Sequence, residues 1–142
     1  MKNEEYHTYC SKNHLLFKPA SFEGRLVGGN LLILAGLLGT KFEPNVEGKV
    51  LFLEEVGSSP QKLHFLLLHL YFAKIFKKIR AVIFGKMENS GDYLPLLRDF
   101  VRRYVSVPVL CELDIGHGRD VIPLKIGGKV KFDAKNALLC FS

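Results

Sequence analysis

An unbroken apolar run, Val50-Leu51-Phe52-Leu53, ends directly at two acidic residues, Glu54 and Glu55. A continuous apolar run of this length is typical of a strand that is buried on both faces of a sheet. The run therefore constrains the fold more than any other segment, because both faces of such a sheet must be covered. A carboxylate at its end is costly to bury unless it is paired.

The segments around this run alternate between helical and strand patterns. A helical period starts at Asn30, with Gly39 placed to stop it, and Ser59-Pro60 provides the cap and first residue of a second helix. Gly85 is expected to close the strand that follows this second helix. The remaining elements are a helix at 93–104, a loop at 86–92 and strands at 49–53, 79–84, 108–113, 129–132 and 138–141. This order predicts an α/β domain with an antiparallel tail.

Length and composition fit one folded domain. The chain has 142 residues, of which 48% are hydrophobic and 24% are charged. Both fractions are ordinary for a globular protein with a sizeable core. Residues 1–22 are polar and irregular and are predicted to be a tail or a linker remnant, so the domain itself is expected to span 23–142.

The cytoplasm is the expected compartment. No stretch approaches the roughly 20 apolar residues that span a bilayer, and the first seven residues lack the apolar core of a signal peptide. Cys10, Cys111 and Cys140 have no paired spacing, which fits reduced thiols and neither a disulfide framework nor a zinc site. Cys111 and Cys140 are expected to be buried. We expect no membrane partner, no metal and no cofactor.

The net charge of +6 has a simpler explanation than a nucleic-acid partner. Lys77 and Lys78 fall near a predicted helix C-terminus, where cations oppose the macrodipole, and Asp99 is spaced to pair with Arg103. No aromatic-basic strand motif of the RNA-binding kind is present. We therefore expect no nucleic acid among the partners.

A histidine and a carboxylate are the candidate catalytic residues. His117 lies between two glycines after a predicted strand, an open setting in which an imidazole can transfer protons. A turn histidine without a role is the alternative. Glu54 would orient this imidazole, against the alternative of a strand-end residue that faces water. The pair gains weight only if the two strands adjoin, which the sequence does not show.

Gly28-Gly29-Asn30 precedes the first predicted helix. Backbone N–H groups at a helix start can hold an anion such as a substrate carboxylate, and a tight turn with Asn30 as the cap explains the same residues. No serine lies in a Gly-x-Ser-x-Gly elbow, and the strand setting of Cys111 favours a buried, unreactive thiol. Two parts of a serine-hydrolase relay are therefore present without a convincing nucleophile.

Several blocks of sequence occur in the order seen in one peptidase family. Residues 24–31 are Gly-Arg-Leu-Val-Gly-Gly-Asn-Leu, and residues 48–57 are Gly-Lys-Val-Leu-Phe-Leu-Glu-Glu-Val-Gly. Val82-Ile83-Phe84-Gly85 and Gly116-His117-Gly118 follow. From about residue 23 onward, the chain resembles the C-terminal domain of the LD-carboxypeptidases, which include muramoyl-tetrapeptide carboxypeptidase and the microcin immunity peptidase. The resemblance implies a single swivelling β/β/α-type domain with a mixed sheet.

The resemblance also implies a Ser-Glu-His triad in which Glu54 and His117 are two members. The serine would come from an N-terminal domain of different fold, and only about twenty residues precede the match. The expected partners are this missing serine-bearing domain and a murein peptide, from which intact relatives release a terminal D-amino acid. A homodimer is left open. The isolated chain is expected to be inactive.

The alternative function is a non-catalytic remnant or the partner domain of a split protein. Two departures from the family pattern bear on it. Glu54-Glu55 stands where the family usually has Glu-Asp, and residues 58–65 lack the acidic and Tyr-Arg-Ile-Asp-Arg-like residues common there. The second departure leaves open which substrate or subunit contacts the following helix makes.

Overall fold

The computed structural model describes residues 9–11, 15–113 and 123–142. Eight strands and four helices lie in this part of the chain. Their bounds are β1 Tyr9–Ser11, β2 Leu15–Lys18, β3 Phe22–Asn30, α1 Leu31–Leu37, β4 Val50–Val56, α2 Pro60–Phe72, α3 Ile75–Lys78, β5 Ala81–Glu88, α4 Leu94–Tyr104, β6 Val109–Leu113, β7 Lys129–Asp133 and β8 Leu138–Phe141.

All eight strands join one mixed sheet in the order β1-β8-β7-β3-β4-β5-β6-β2. The central strands β3, β4, β5 and β6 run parallel to one another. Antiparallel strands flank them, with β7, β8 and β1 on one side and β2 on the other. The predicted fold class, an α/β domain with a mixed sheet, is confirmed. The continuous apolar runs occupy its parallel centre, where both faces are buried.

The sheet separates two hydrophobic cores, and alternation along β4 shows why. Leu51 and Leu53 face the core that the helices cover. Val50 and Phe52 point the other way, into a second core closed by residues of β7 and β8. Successive side chains of a strand point to opposite faces. The curled antiparallel strands therefore cover the face of the parallel strands that the helices leave open.

The predicted helix signals lie where the helices begin and end. The Ser59 side chain accepts a hydrogen bond of 3.2 Å from the Lys62 N–H at the start of α2, with Pro60 as the first helical residue. Gly39 follows the last turn of α1 with φ of +77°, a conformation that glycine adopts without strain. No helix in the described ranges is long and apolar enough to span a membrane.

Strands whose partners are distant in the chain are not apparent from the sequence. β3 was not predicted, although it is a nine-residue strand. β1 and β2 lie within residues 1–22, where the pattern indicates no regular structure, and each pairs with a strand far along the chain. The prediction that Gly85 closes a strand is wrong, because β5 continues to Glu88 through an irregularity in its pairing. The role of residues 1–22 as a tail or linker stays a prediction.

The expectation for the cysteines is partly wrong. Cys111 is fully buried and free, as predicted. Cys140 is only half-buried and is disulfide-bonded. The backbone of β8 pairs with that of β1 there, so Cys140 lies opposite Cys10. Spacing along the sequence gave no sign of this pairing, because the two positions lie at opposite ends of the chain.

At Gly28, the backbone of β3 lies close to that of β4. The φ of Gly28 is +125°, and a Cβ built on it would lie 2.0 Å from the carbonyl oxygen of Phe52 in β4. No side chain fits between the two backbones at that distance. Glycine is therefore required here by the packing of β3 on β4 as well as by its backbone conformation.

We expect Gly28→Ala to lower the free energy of unfolding by about 3 kcal/mol or more, from backbone strain and overlap. The control is Gly36→Ala in α1, where an added Cβ meets nothing within 4 Å. Alanine is the better helix former, so this variant should gain about 0.5–1 kcal/mol. Urea unfolding measures both, and equal effects of the two substitutions would contradict the packing argument.

Candidate functional site

The described residues of the predicted site lie at the carboxyl ends of two parallel strands, with Asn30 at the end of β3 and Glu54 near the end of β4. Glu54 and Glu55 are the fifth and sixth residues of the seven-residue strand β4. Both are buried, with exposed fractions of 7% and 3%. Because the faces of β4 alternate, Glu55 falls on the face that the helices cover, and Glu54 falls on the face of the second core. Two adjacent carboxylates thus serve different sides of the sheet.

Glu55 joins the end of β4 to the start of α1. Its Oε2 accepts a hydrogen bond of 3.1 Å from the Leu32 N–H, in the first turn of the helix. Its Oε1 accepts from the Val56 N–H at 2.9 Å and from Asn30 Nδ2 at 3.4 Å. A carboxylate at a helix N-terminus satisfies a donor that has no partner within the helix and complements the macrodipole. Glu55 is therefore an internal anchor of the site.

Asn30 is the N-cap of α1, which is one of the two interpretations of Gly28-Gly29-Asn30 that the sequence allows. Its Oδ1 accepts a hydrogen bond of 3.1 Å from the Ile33 N–H. Since the N–H groups of Leu32 and Ile33 both have acceptors within the protein, these two donors do not face an external anion. A role for Gly28, Gly29 and Asn30 in binding substrate stays a prediction.

Glu54 and Asn30 are Cα partners in the parallel ladder of β3 and β4. Glu54 therefore sits between the start of α1 on one side and β5 on the other. The strand before His117 is β6, and β5 lies between β4 and β6. The condition that the two strands adjoin is thus not met. His117 itself lies in residues 114–122, outside the described part of the chain.

Gly85 separates the ends of β4 and β6 on the face where Glu54 lies. Ala81 and Ile83 of β5 belong to the second core, and alternation puts Gly85 on the same face. It pairs with Leu113, the last residue of β6. The pairing of β5 with β4 is irregular here, because Gly85 and Lys86 together lie opposite Glu54, between the pairs Leu53–Phe84 and Glu55–Met87. Gly85 itself contributes no side chain.

A tyrosine–glutamate pair at the end of β6 is a feature that the sequence analysis missed. The Tyr93 hydroxyl donates a hydrogen bond to Glu112 Oε1 and accepts one of 3.1 Å from the Met87 N–H. Burial, with the bond to Glu112 as the second cause, raises the pKa of the Tyr93 phenol. Glu112 has φ of +60°, which is strained for a residue other than glycine. The pair holds the backbone at the point where the chain leaves the sheet toward His117.

The other candidate nucleophiles are in unreactive settings. Burial raises the pKa of the Cys111 thiol, which therefore stays protonated, as its strand context predicted. Ser59 caps α2 and Ser58 is buried. Among the residues with a described position, no group of three or more His, Cys, Asp or Glu could hold a metal ion.

Comparison with known proteins decides the family. The profile of the LD-carboxypeptidase C-terminal domain matches residues 23–132. The chain belongs to this family. The match includes almost all of β3, the carboxyl end of β4 and the segment that contains His117, whereas β1, β2 and β8 lie outside it.

Curated relatives agree with this assignment. The microcin C7 self-immunity protein MccF of Escherichia coli is 30% identical over 132 residues, which cover 87% of this chain and 38% of MccF. A protein of Bacillus subtilis named as a probable murein peptide carboxypeptidase is 31% identical over 119 residues, which cover 78% of this chain and 37% of the relative. The chain thus spans little more than a third of the length of either relative.

Solved structures show the same fold. MccF in complex with aspartyl sulfamoyl adenosine superposes with a TM-score of 0.81 at 27% identity, covering 92% of this chain and 41% of that one. A muramoyltetrapeptide carboxypeptidase from Oxalobacter formigenes gives a TM-score of 0.79 at 29% identity, covering 94% of this chain and 49% of that one. The LD-carboxypeptidase C-terminal domain fold therefore extends over nearly the whole chain.

We expect Glu55→Ala to lower the free energy of unfolding by about 2–4 kcal/mol, because it removes the acceptor of three buried or half-buried donors. Glu47→Ala is the control, since Glu47 is exposed in a loop and should change stability by no more than about 0.5 kcal/mol. Chemical unfolding measures both. A loss for Glu55→Ala as small as the control's would show that Glu55 does not anchor α1.

We expect Tyr93→Phe to cost about 1–3 kcal/mol, because it removes the donor to Glu112 and the acceptor of the Met87 N–H. The control is Tyr71→Phe on α2, where the half-buried ring packs against Tyr104 and the ring contact is kept. That variant should stay within about 0.5 kcal/mol of the parent. Thermal and urea unfolding provide the comparison, and equal stabilities would contradict the role of the Tyr93 hydroxyl.

Proposed function

We propose that this chain supplies the glutamate and the histidine of a Ser-Glu-His triad in a serine LD-carboxypeptidase. In this mechanism a serine attacks the carbonyl of an L,D peptide bond. His117 takes the proton from the serine and delivers it to the departing D-amino acid, and Glu54 orients and stabilises the imidazolium. The serine is contributed by an N-terminal domain, in the part of the relatives that this sequence does not match.

The burial of Glu54 is the single observation that carries the proposal. A carboxylate with an exposed fraction of 7% at the end of a central strand is costly unless it is paired or hydrogen-bonded. The neighbouring Glu55 has a structural reason for its burial in its bonds to α1. Glu54 faces the opposite side of the sheet, and we propose that its carboxylate is buried there to orient the imidazole of His117.

The intervening strand β5 does not prevent this pairing. Strands that are second neighbours lie roughly 10 Å apart. Four residues lead from Leu113 to His117, and four residues of extended chain reach about 13 Å. Gly85 of β5 adds no side chain on the face of Glu54. A segment of this length is therefore long enough to bring the histidine to the carboxylate.

An exposed apolar surface around the same edge supports a partner domain. Ile33 and Leu32 in the first turn of α1 have exposed fractions of 65% and 43%, and Val56 at the end of β4 is 38% exposed. Contiguous apolar side chains of this kind usually mark an interaction surface. They lie close in sequence to Glu55 and the start of α1, at the end of β4 that carries Glu54. We propose that the serine-bearing domain covers them.

Murein peptides in the cytoplasm are the proposed substrates. The support comes from relatives whose names refer to murein peptides or to muramoyltetrapeptide. Self-association into a homodimer stays a candidate. If the chain binds a serine-bearing domain and the mixture shows no turnover, the result would favour the non-catalytic alternative, a remnant or split-protein partner.

The test is a complementation assay with an L,D-tetrapeptide from murein. The full chain is assayed alone and together with a separately produced N-terminal domain of the Oxalobacter formigenes relative, and release of the terminal D-amino acid is measured. We expect release only from the mixture. Turnover by the chain alone would contradict the proposal that the nucleophile comes from another domain.

Matched variants test the catalytic roles of His117 and Glu54 in the same mixture. We expect His117→Ala and Glu54→Gln to reduce kcat by about a hundredfold to ten-thousandfold, as losses within a triad do. His69→Ala and Glu47→Gln change the same residue types at exposed positions and should leave kcat unchanged. Activity of Glu54→Gln equal to that of Glu47→Gln would contradict the triad assignment.

A further inference from the structure

A second concave site lies away from the carboxyl ends of the parallel strands. Its cavity has a volume of about 410 Å³ and is formed by the start of β3, by β7 and by the end of β8. Four cationic side chains and one carboxylate, Glu23, are among the residues that line it. The cations are Arg25, Arg80, Lys129 and Lys131.

The strand register concentrates these charges. Arg25 of β3 is the Cα partner of Lys129 in β7, and Glu23 is the partner of Lys131. Directly opposed side chains lie about 5 Å apart at Cβ, and like charges in that position repel each other. The Glu23–Lys131 pair offsets one positive charge, and the register also sets Arg25 beside Lys129.

Both arginines are held by backbone carbonyls. Arg25 Nη1 donates to the Gly127 carbonyl at 3.1 Å, and Arg80 Nη1 donates to the Glu23 carbonyl at 3.2 Å. The Arg80 side chain also reaches across β3, with its Cδ 3.8 Å from the position of a Cβ on Gly24. A guanidinium has five N–H donors, so each anchor orients the group and leaves donors for a ligand.

We propose that this basic cavity binds the phosphate group of a small phosphorylated molecule. Guanidinium groups bind phosphate in two-pronged geometry, and two of them, one on β3 and one directly before β5, suit a doubly charged oxyanion better than a single carboxylate. A volume of about 410 Å³ lies in the range of small-molecule sites. The site sits at the amino end of the parallel strands, and Glu54 sits at their carboxyl end.

The location makes this site independent of the proposed peptidase chemistry. β3 connects the two, since Arg25 and Asn30 lie five residues apart on the same strand. Loss of phosphate binding would leave the triad proposal intact, and loss of peptidase activity would leave this site intact. Binding can therefore be measured on the chain without a serine-bearing domain.

The experiment is an NMR titration of the full chain at low ionic strength with inorganic phosphate, with glucose 6-phosphate and with glucose as the uncharged control. We expect saturable shifts of the amide signals of residues 23–25 and 129–131 with both phosphates and none with glucose. Equal affinities for inorganic phosphate and glucose 6-phosphate would show that the cavity recognises the phosphate group alone. Tighter binding of the sugar phosphate would show that the cavity walls also contribute to affinity. Shifts that do not saturate would overturn the proposal.

Two double variants distinguish phosphate binding in this cavity from nonspecific attraction of the anion to a basic protein. Arg25→Gln with Arg80→Gln should weaken phosphate binding about tenfold. Lys41→Gln with Lys62→Gln removes the same charge from exposed positions elsewhere and should leave the affinity unchanged. Equal weakening by the two double variants would reject the site.

A conservative variant distinguishes a loss of phosphate binding from a loss of folding. Arg80→Lys keeps the charge but loses the two-pronged geometry, so we expect weaker phosphate binding with an unchanged unfolding midpoint. Unchanged phosphate affinity in Arg80→Lys would mean that charge alone attracts the anion, which contradicts the proposed role of the guanidinium.

Discussion

The hydrogen bonds of one buried carboxylate hold the functional edge of this domain together. Glu55 receives N–H groups from the first turn of α1, from its own strand and from the cap residue Asn30. These bonds fix the helix start against the end of β4. They also explain how two adjacent glutamates can both be buried, because Glu55 is satisfied on the helix side while Glu54 faces the other core. The geometry around Glu54 depends on this division.

The close contact of β3 with β4 is the second constraint on the edge. Gly28 allows the two backbones to approach where a Cβ would overlap the Phe52 carbonyl. The same parallel register puts Asn30 beside Glu54. Packing thus explains Gly28, whereas a Cβ on Gly29 would meet nothing within 4 Å. At the start of α1, the N–H groups of Leu32 and Ile33 are bonded to the protein's own acceptors.

Much of the fold followed from local patterns. The apolar run at 50–53, the Ser59 cap and Pro60 as the first residue of α2 are signals carried by neighbouring residues, and the structure matches each of them. Long-range pairing left no such signal. β3, the extension of β5 past Gly85 and the β1–β8 ladder each depend on a partner distant in the chain. The same reason explains why the disulfide-bonded state of Cys140 was missed.

The sequence by itself determined the family, the α/β class and the acidic pair at the end of a buried strand, because these depend on residue order and local period. Only the tertiary structure decided which glutamate faces which core, that β5 lies between β4 and β6, and that Tyr93 bonds Glu112. It also brought Arg25, Arg80, Lys129 and Lys131 around one cavity. Those features arise from strand order and from the alternation of side chains across a sheet. Both are set when distant segments pair, so neither can be inferred from any single segment.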